Sequence, residues 1–325
     1  MKEPVCPKVV AIGGGTGLST MLRGLKYRNW HLTAVVTVGD DGGSSGRLRT
    51  DLNMLPPGDI RNVLVALADT EPLLEKMLQY RFKQGEGLIG HSLGNLLLAA
   101  LNDVTGDFVK GIKELSRVLA VKGKVLPASN QAVVLKATMT DGTEVVGESQ
   151  IPLAGKRIQR LELIPGDVAA NEEAVKEIMD ADCLIVGPGS LYTSLLPNLL
   201  VKGLVEAVRR SSALKIFVCN LMTQPGETDG LNAVDHLKVF DEHVGNNLFD
   251  LVIVNCAELP PSIARQYAEK GSYPVEPAVE ALAAMGYQVI ADNLISYETY
   301  LRHNANRLGD LIEQALKQWL ENRRN

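Results

Sequence analysis

Aromatic residues and surplus positive charge are both scarce in this chain of 325 residues. Phe, Trp and Tyr make up only 5% of the sequence, which disfavours a stacking surface for single-stranded nucleic acid. The 33 Lys and Arg against 38 Asp and Glu give a formal net charge of −5, which argues against binding by neutralisation of many phosphates. We therefore expect no nucleic-acid partner, whereas a local site for a small anion is compatible with an acidic surface.

Cysteines and long apolar runs are also few. The four cysteines form no CxxC pair, so zinc-knuckle and thioredoxin motifs are absent. Cys183, Cys219 and Cys256 lie in apolar strand-like runs and are predicted to be buried free thiols in a reducing compartment. No apolar run approaches the roughly 18 residues that span a bilayer, and the N-terminus MKEPVCPKVV has no apolar signal core. These features predict a soluble, cytoplasmic protein with no membrane insertion.

What the sequence does contain is an alternation of strand and helix patterns. Residues 8–12 form a short apolar run that ends in glycines, residues 18–25 have apolar positions at helical spacing, and residues 32–38 form a second apolar run. This order is a βαβ unit. Further strand patterns, separated by helical ones, occur at 182–187, 214–220, 250–256 and 287–292. The predicted fold is α/β, with a Rossmann-like, doubly wound, mainly parallel sheet.

Two stretches depart from this alternation. Residues 59–120 are mainly helical and begin at Asp59, the expected N-cap after a Pro-Pro-Gly turn. Residues 124–164 contain short strand patterns around an Asp-Gly turn, which indicate an inserted antiparallel β segment. Because there is no internal repeat and no low-complexity tract, we expect a single large α/β domain over residues 1–325 that contains both stretches.

The turn after the first strand is rich in glycine. Glycines between a strand and a helix let the backbone approach a phosphate, which the free N–H groups of the helix N-terminus attract. The turn is not a Walker A loop, and Leu18 replaces the third glycine of a dinucleotide fingerprint. A nicotinamide dehydrogenase is therefore disfavoured. The alternative is a tight turn in which the glycines only supply positive φ. We instead expect the whole turn to bind phosphate, through Gly13, Gly14, Gly15, Thr16 and Gly17.

The segment VGDDGGSSGRLR, residues 38–49, follows the second strand. Asp40 lies where a Rossmann protein binds a ribose hydroxyl. Asp40 and Asp41 are alternatively candidate ligands for a divalent metal that bridges phosphates. Ser44 and Ser45 belong to a loop that is predicted to be flexible and rich in hydrogen-bond donors. Sugar binding and metal binding both remain open for this segment.

The segment GHSLGN, residues 90–95, opens a helical pattern and matches the GxSxG nucleophile elbow of α/β hydrolases. That elbow needs a strong strand directly before it, whereas FKQGEGLI precedes it here. A serine hydrolase is therefore disfavoured. We expect His91, Ser92 and Asn95 to line a ligand at a helix N-terminus.

Polar residues also follow the later strands. Because the carboxyl ends of parallel strands face the same way, these residues are expected to converge on one nucleotide-type site. Gly189 and Ser190 are candidates for phosphate binding, and Arg302 is a candidate to reach a diphosphate. The candidates for binding base or sugar are Tyr192, Asn220 and Thr223.

Six long motifs carry a resemblance to a known family: GGGTG, VGDDGGSSGRLR, MLPPGDIRNVLVALAD, GHSLGNLLLAAL, GPGSLYTSLLPNLLV and CNLMTQPGETDG. They resemble the gluconeogenesis factor (YvcK) family, within the superfamily of the 2-phospho-L-lactate transferase CofD. The resemblance covers about residues 8–307 and implies a Rossmann-like fold. For the transferase relatives it implies Mg²⁺-dependent phosphotransfer from a nucleotide-activated phospholactate.

For the gluconeogenesis factor branch, the resemblance implies a different function. It implies a regulator that binds a UDP-sugar such as UDP-N-acetylglucosamine and is required for normal cell shape and cell-wall metabolism on gluconeogenic carbon sources. This branch is favoured by three of the motifs, GGSSGRLR, GHSLGN and MTQPGETDG. The resemblance therefore assigns no catalytic residue and implies no required cofactor. The alternative is a Mg²⁺ ion bound by Asp40 and Asp41. A protein partner in cell-wall synthesis is implied, and apolar faces expected on helices 91–120 suggest a homodimer.

Overall fold

A computed structural model describes residues 6–297 and 299–323 of the chain. Its strands are β1 (Lys8–Gly13), β2 (His31–Val36), β3 (Lys124–Pro127), β4 (Val134–Met139), β5 (Glu144–Val146), β6 (Ile158–Ile164), β7 (Cys183–Val186), β8 (Leu214–Val218), β9 (Leu251–Asn255), β10 (Gln288–Asp292), β11 (Ile295–Tyr297) and β12 (Leu301–His303). Its α-helices are α1 (Gly15–Leu25), α2 (Gly43–Leu52), α3 (Gly58–Leu67), α4 (Pro72–Gln79), α5 (Leu93–Thr105), α6 (Phe108–Val118), α7 (Glu172–Met179), α8 (Leu196–Leu199), α9 (Leu204–Arg210), α10 (Ala233–Val244), α11 (Pro261–Ala268), α12 (Val279–Ala284) and α13 (Ala305–Asn322).

Seven strands form one parallel sheet in the order β10-β9-β8-β7-β1-β2-β3. β1 lies in the middle, with Val9 opposite Leu32 of β2 on one side and Cys183 of β7 on the other. The four residues of β7 are all buried, as is typical of a parallel strand covered on both faces. From β1 and β7 the sheet grows in opposite directions, so right-handed crossovers place the connecting helices on opposite faces. The predicted doubly wound α/β fold is confirmed.

A smaller antiparallel sheet, in the order β5-β4-β6, is inserted between β3 and α7. Along β4 the residues Leu135, Ala137 and Met139 are buried and alternate with half-exposed neighbours, so one face of this sheet contributes to the core. The insertion is shorter than the sequence indicates. Residues 124–127, which the sequence groups with it, form β3 and pair in parallel with β2.

Three local expectations are corrected. Residues 42–46, expected to be a flexible loop, form the N-cap and the N-terminal part of α2, because Ser44, Ser45 and Leu48 are buried on one side of the helix. Asp59 is not an N-cap but lies in the first turn of α3, with Pro57 at the N-cap position. Cys256 is exposed rather than buried, since it follows the last residue of β9 and lies outside the sheet.

Within residues 6–297 and 299–323, none of the helices has both the length and the hydropathy that a membrane crossing requires.

Candidate functional site

The carboxyl ends of β1 and β7 are the point where the winding of the sheet reverses. The turns that follow these two strands lead to α1 and to the helical segment that starts at residue 191, so they diverge and leave a crevice between them. The start of α1 touches the turn after β7 at Gly17, where an added Cβ would lie 2.5 Å from the carbonyl oxygen of Pro188. Gly17 is therefore required for this close approach.

This crevice contains a cavity of about 480 Å³, which we call the switch-point cavity. It brings together most of the phosphate-binding candidates and two of the candidates for base or sugar. None of the described residues that line it carries a carboxylate, and among them Arg302 carries the formal charge. The lining consists of Gly14, Gly15, Thr16, Gly17, Thr20, Pro188, Gly189, Ser190, Thr193, Ser194, Asn220, Leu221, Met222, Thr223, Gln224, Pro225, Tyr267, Ser272, Leu301, Arg302 and His303.

The glycine turn places the N-terminus of α1 at the wall of this cavity. Gly15 has φ +63°, a left-handed conformation that glycine adopts without strain. Gly13 lies just outside the lining, and its carbonyl oxygen accepts a hydrogen bond from the side-chain amide of Asn198 at 3.1 Å. Thr16 is exposed in the first turn of the helix. This arrangement presents the free N–H groups and the positive dipole end of α1 to the cavity.

A carboxylate lies directly behind the same turn. An added Cβ on Gly14 would lie 2.5 Å from Oδ2 of Asp59, so glycine is needed for the close approach of this side chain. Burial and the neighbouring Asp40 raise the pKa of Asp59 to about 6, while the backbone N–H of Gly15 acts in the opposite direction. The sequence did not indicate this role for Asp59.

Two of the predicted binding side chains are hydrogen-bonded to the turn after β7. The amide of Asn220 donates to the carbonyl of Gly189 at 2.8 Å, and its oxygen accepts from the N–H of Gly189 at 3.1 Å. Ser190 donates its hydroxyl to Glu227 and accepts from the N–H of Thr193 at 3.2 Å and from its hydroxyl at 2.7 Å. The hydroxyl of Ser190 thereby has its one donor and two acceptor positions occupied by protein groups.

Thr223 is likewise fixed by its own chain. Its hydroxyl accepts from the N–H of Tyr273 at 2.9 Å, and its carbonyl accepts from the hydroxyl of Ser272 at 2.7 Å. Tyr192 is buried with its ring 6.1 Å from that of His243 and lies outside the lining of the cavity. Burial raises the pKa of Tyr192 to about 12, so its phenol is neutral at ordinary pH.

The predicted residues of the second and third motifs form a separate polar network between α2, α3 and α5. Ser44 Oγ lies 3.0 Å from Nδ1 of His91 and accepts from the amide of Asn95 at 3.1 Å. Arg61 donates to the hydroxyl of Ser92 and, at 3.1 Å, to the side-chain oxygen of Asn95. Ser92 is the N-cap of α5, as its position at the start of the helical pattern suggests. This network lies outside the lining of the switch-point cavity.

The acidic residues after β2 lie between the network and the glycine turn. Asp40 accepts from the N–H of Gly42 at 2.9 Å, and Asp41 accepts from the N–H of Ser149 at 2.9 Å. An added Cβ on Gly58 would lie 2.4 Å from the hydroxyl of Ser45 and 2.3 Å from Oδ2 of Asp40, so these side chains are close together. Through its hydrogen bond with Ser149, Asp41 instead connects the segment after β2 to the inserted sheet.

A group of carboxylates here fits a cation by its charge. Burial, then Asp59, Asp40 and Asp41, raise the pKa of Glu148 well above its ordinary value, and Glu148 Oε2 is buried without a hydrogen-bond partner. A divalent cation bound here would stabilise the charged form of Glu148 and would give Oε2 a partner. Across the described part of the chain, however, no group of three or more His, Cys, Asp or Glu side chains has the arrangement of a metal site.

Several lining residues were not among the candidates taken from the sequence. Thr20 lies one helical turn beyond Thr16, and its position on α1 is the signal that points to it. Tyr267 and Ser272 come from the segment around α11, which carries no motif. His303 lies next to Arg302 and reaches the cavity because β12 places both at its rim.

Comparison with known proteins agrees with this fold. The family of 2-phospho-L-lactate transferase CofD matches residues 9–295. The chain is 50% identical over 313 residues to the gluconeogenesis factor of Bacillus subtilis (strain 168), which covers 96% of this chain and 99% of that protein. It is 52% identical over 305 residues to the gluconeogenesis factor of Halalkalibacterium halodurans, over 94% of this chain and 95% of the relative.

A solved structure shows the same architecture. The crystal structure of a member of the upf0052 family from Bacillus halodurans matches with a TM-score of 0.93 at 51% identity, over 95% of this chain and 99% of that chain. The match to the family covers most of the chain, and the relatives are about half identical along nearly their whole length. The chain therefore belongs to the CofD family, among the proteins named gluconeogenesis factor.

Proposed function

We propose that this chain is a cytoplasmic regulatory protein that binds a nucleotide sugar, such as UDP-N-acetylglucosamine, in the switch-point cavity. One observation carries the proposal: the N-terminus of α1 and the guanidinium of Arg302 border the same cavity, and no carboxylate lines it. A helix N-terminus and an arginine are the groups that bind a diphosphate in proteins. The volume of about 480 Å³ lies within the usual range of about 300–1,000 Å³ for ligand sites.

The residues that line the cavity also suggest which part of it would bind the diphosphate and which part the base. Thr16 and Gly17 lie at the first turn of α1, where free N–H groups suit the diphosphate. The side chains of Met222, Pro225 and Tyr267 offer apolar surface, which suits a planar base. The nucleotide would then extend across the crevice between the two turns.

Two polar side chains of the lining, Ser190 and Asn220, are hydrogen-bonded to the protein itself, which disfavours a catalytic role for them. The hydroxyl of Ser190 is occupied by Glu227 and Thr193, and Asn220 is occupied by Gly189, so both shape the turn after β7. We therefore propose that the bound nucleotide sugar signals to a protein partner in cell-wall synthesis. The role in cell shape on gluconeogenic carbon sources rests on the likeness to gluconeogenesis factors.

A second candidate is Mg²⁺-dependent phosphotransfer of the CofD type. The carboxylates of Asp40, Asp59 and Glu148 favour it, because they lie next to the glycine turn. After burial, Asp40 raises the pKa of Asp59, and both Asp59 and Asp40 raise the pKa of Glu148. A cation held there would neutralise charge beside the proposed diphosphate. In that case the same cavity would hold a nucleotide-activated phospholactate.

Replacement of Arg302 tests the proposed diphosphate contact. We expect Arg302→Ala to weaken binding of UDP-N-acetylglucosamine by about tenfold or more, since a hydrogen bond to a charged group contributes about 1.5–3 kcal/mol. Isothermal titration calorimetry measures the change. Arg210→Ala is the matched control, because Arg210 is an exposed residue at the end of α9 that precedes β8, at the opposite end of the sheet. Equal affinity of the Arg302→Ala variant and the wild type would contradict the assignment.

A further inference from the structure

A second cavity of about 480 Å³ lies beside the switch-point cavity, between α1, the β11–β12 hairpin and the start of α13. We call it the annex cavity. Thr20, Arg302 and His303 line both cavities, so these three side chains form the boundary between the two spaces. A ligand that reaches Arg302 from the switch-point cavity therefore faces the annex cavity next.

His303 supplies an unusual group at this junction. Its ring is buried, and Nε2 lies 3.1 Å from the carbonyl oxygen of Cys219. A carbonyl oxygen only accepts hydrogen bonds, so Nε2 carries the hydrogen. Burial lowers the pKa of His303 to about 4, which keeps the ring neutral at ordinary pH.

The other ring nitrogen of His303 is consequently a bare acceptor. No described residue donates a hydrogen bond to Nδ1, although His303 as a whole residue is only 8% exposed. An acceptor repels phosphate oxygens and pairs with a hydroxyl or an amide N–H. At the junction, Arg302 thus suits the diphosphate and His303 suits the group that follows it.

Among the described residues, the other side chains around the annex cavity are mostly polar and uncharged. Asn304 caps α13 by accepting the N–H of Arg307 at 3.1 Å, which leaves its amide group to donate. Asn306 is exposed in the first turn of α13, and its side chain makes no hydrogen bond to the described residues. The charge of Arg23 is paired with Glu75 of α4. Such a mixture of donors and acceptors matches the hydroxyl and amide groups of a sugar.

We propose that the annex cavity is the sugar subsite of the nucleotide-sugar site. The diphosphate lies between the N-terminus of α1 and Arg302, and the sugar extends past Arg302 into the annex cavity. There His303 Nδ1 accepts a hydrogen bond from a sugar hydroxyl or amide, and Asn306 binds a further hydroxyl. This inference rests on the proposed function and adds where the sugar binds and what recognises it.

The test compares a nucleotide with and without its sugar. UDP-N-acetylglucosamine and UDP are each titrated into the wild type, Asn306→Ala and Asn306→Trp by calorimetry. We expect Asn306→Ala to weaken binding of the UDP-sugar about five- to tenfold, the effect of one lost hydrogen bond, and to change UDP affinity less than about twofold. Asn306→Trp fills the cavity and is expected to weaken UDP-sugar binding further. Asn322→Ala, at the other end of α13, is the matched control and should change neither affinity.

The outcomes separate the two claims. If UDP binds but the Asn306 variants leave the ratio of the two affinities unchanged, the sugar binds elsewhere and the subsite is refuted while nucleotide binding stands. A wild type that binds UDP as tightly as UDP-N-acetylglucosamine also refutes the subsite. A wild type that binds neither ligand contradicts the proposed function and this inference together.

Discussion

Asp59 is a largely buried carboxylate that lies behind the N-terminus of α1 and beside Asp40. A negative charge there is disfavoured by burial and by its neighbour, so its pKa is raised from 3.8 to about 6. Between these two pH values the folded chain binds more protons than the unfolded chain. The stability of the wild type therefore falls as the pH rises through this window, and the loss is complete above about pH 6.

Replacement of Asp59 by Asn is expected to remove this loss. The free energy of unfolding of Asp59→Asn should exceed that of the wild type above about pH 6 by up to about 3 kcal/mol, and the difference should vanish near pH 4. Urea denaturation between pH 4 and pH 8 measures it. Asp103→Asn, at an exposed position of α5, serves as the control with no comparable pH dependence. A difference between Asp59→Asn and the wild type that does not vary with pH would contradict the account.

Helix α1 packs closely against the turn after β7 because Gly17 has no side chain between them. An added Cβ would lie 2.5 Å from the backbone oxygen of Pro188, a contact that only movement of one element can relieve. The two elements form opposite walls of the switch-point cavity. Packing between elements therefore determines the width of the proposed site.

Replacement of Gly17 by Ala is expected to lower the free energy of unfolding by about 1–3 kcal/mol, the usual range for overpacking. Denaturant unfolding followed by circular dichroism measures the loss. Gly166→Ala is the matched control, because an added Cβ there meets its nearest neighbour at an ordinary 3.5 Å. If Gly17→Ala were as stable as this control, α1 and the turn after β7 would not be in close contact.

The sequence predicts the central elements well because their signals are local. Apolar runs bounded by glycines and polar residues locate β1 and β7, and the helix start at Ser92 follows from its capping chemistry. β3 is predicted as a strand but assigned to the inserted segment, because nothing in its four residues indicates which sheet it joins, and pairing with β2 places it in the main sheet. α2 forms within a glycine- and serine-rich segment because tertiary burial outweighs low helix propensity.

At the site, the sequence identifies motifs but not their partners. The association of Ser190 with Glu227 joins turns that follow two different strands, and no spacing rule indicates it. The network of Ser44, His91 and Asn95 similarly joins two helices that are distant along the chain. Such pairings depend on tertiary contacts, so sequence reasoning expected both groups to face a ligand directly.

In the folded chain, the switch-point cavity lies where the winding direction of the seven-stranded sheet reverses, and the annex cavity lies beside it. The glycine turn after β1, Arg302 and the β11–β12 hairpin come from both ends of the chain and meet only in the folded protein. Carboxylates are collected on the other side of the glycine turn, outside the lining of the switch-point cavity. This separation of charge is the basis for preferring a bound anionic ligand over a cation-dependent reaction.

The central claim is tested most directly by titration of the purified full chain with UDP-N-acetylglucosamine, with GDP and NAD as parallel ligands, each with and without Mg²⁺. We expect UDP-N-acetylglucosamine to bind more tightly than GDP or NAD, without a requirement for Mg²⁺, and to be recovered unchanged after overnight incubation. Preferential, Mg²⁺-dependent binding of GDP, with product formed from a nucleotide-activated phospholactate, would contradict the account and establish the transferase instead.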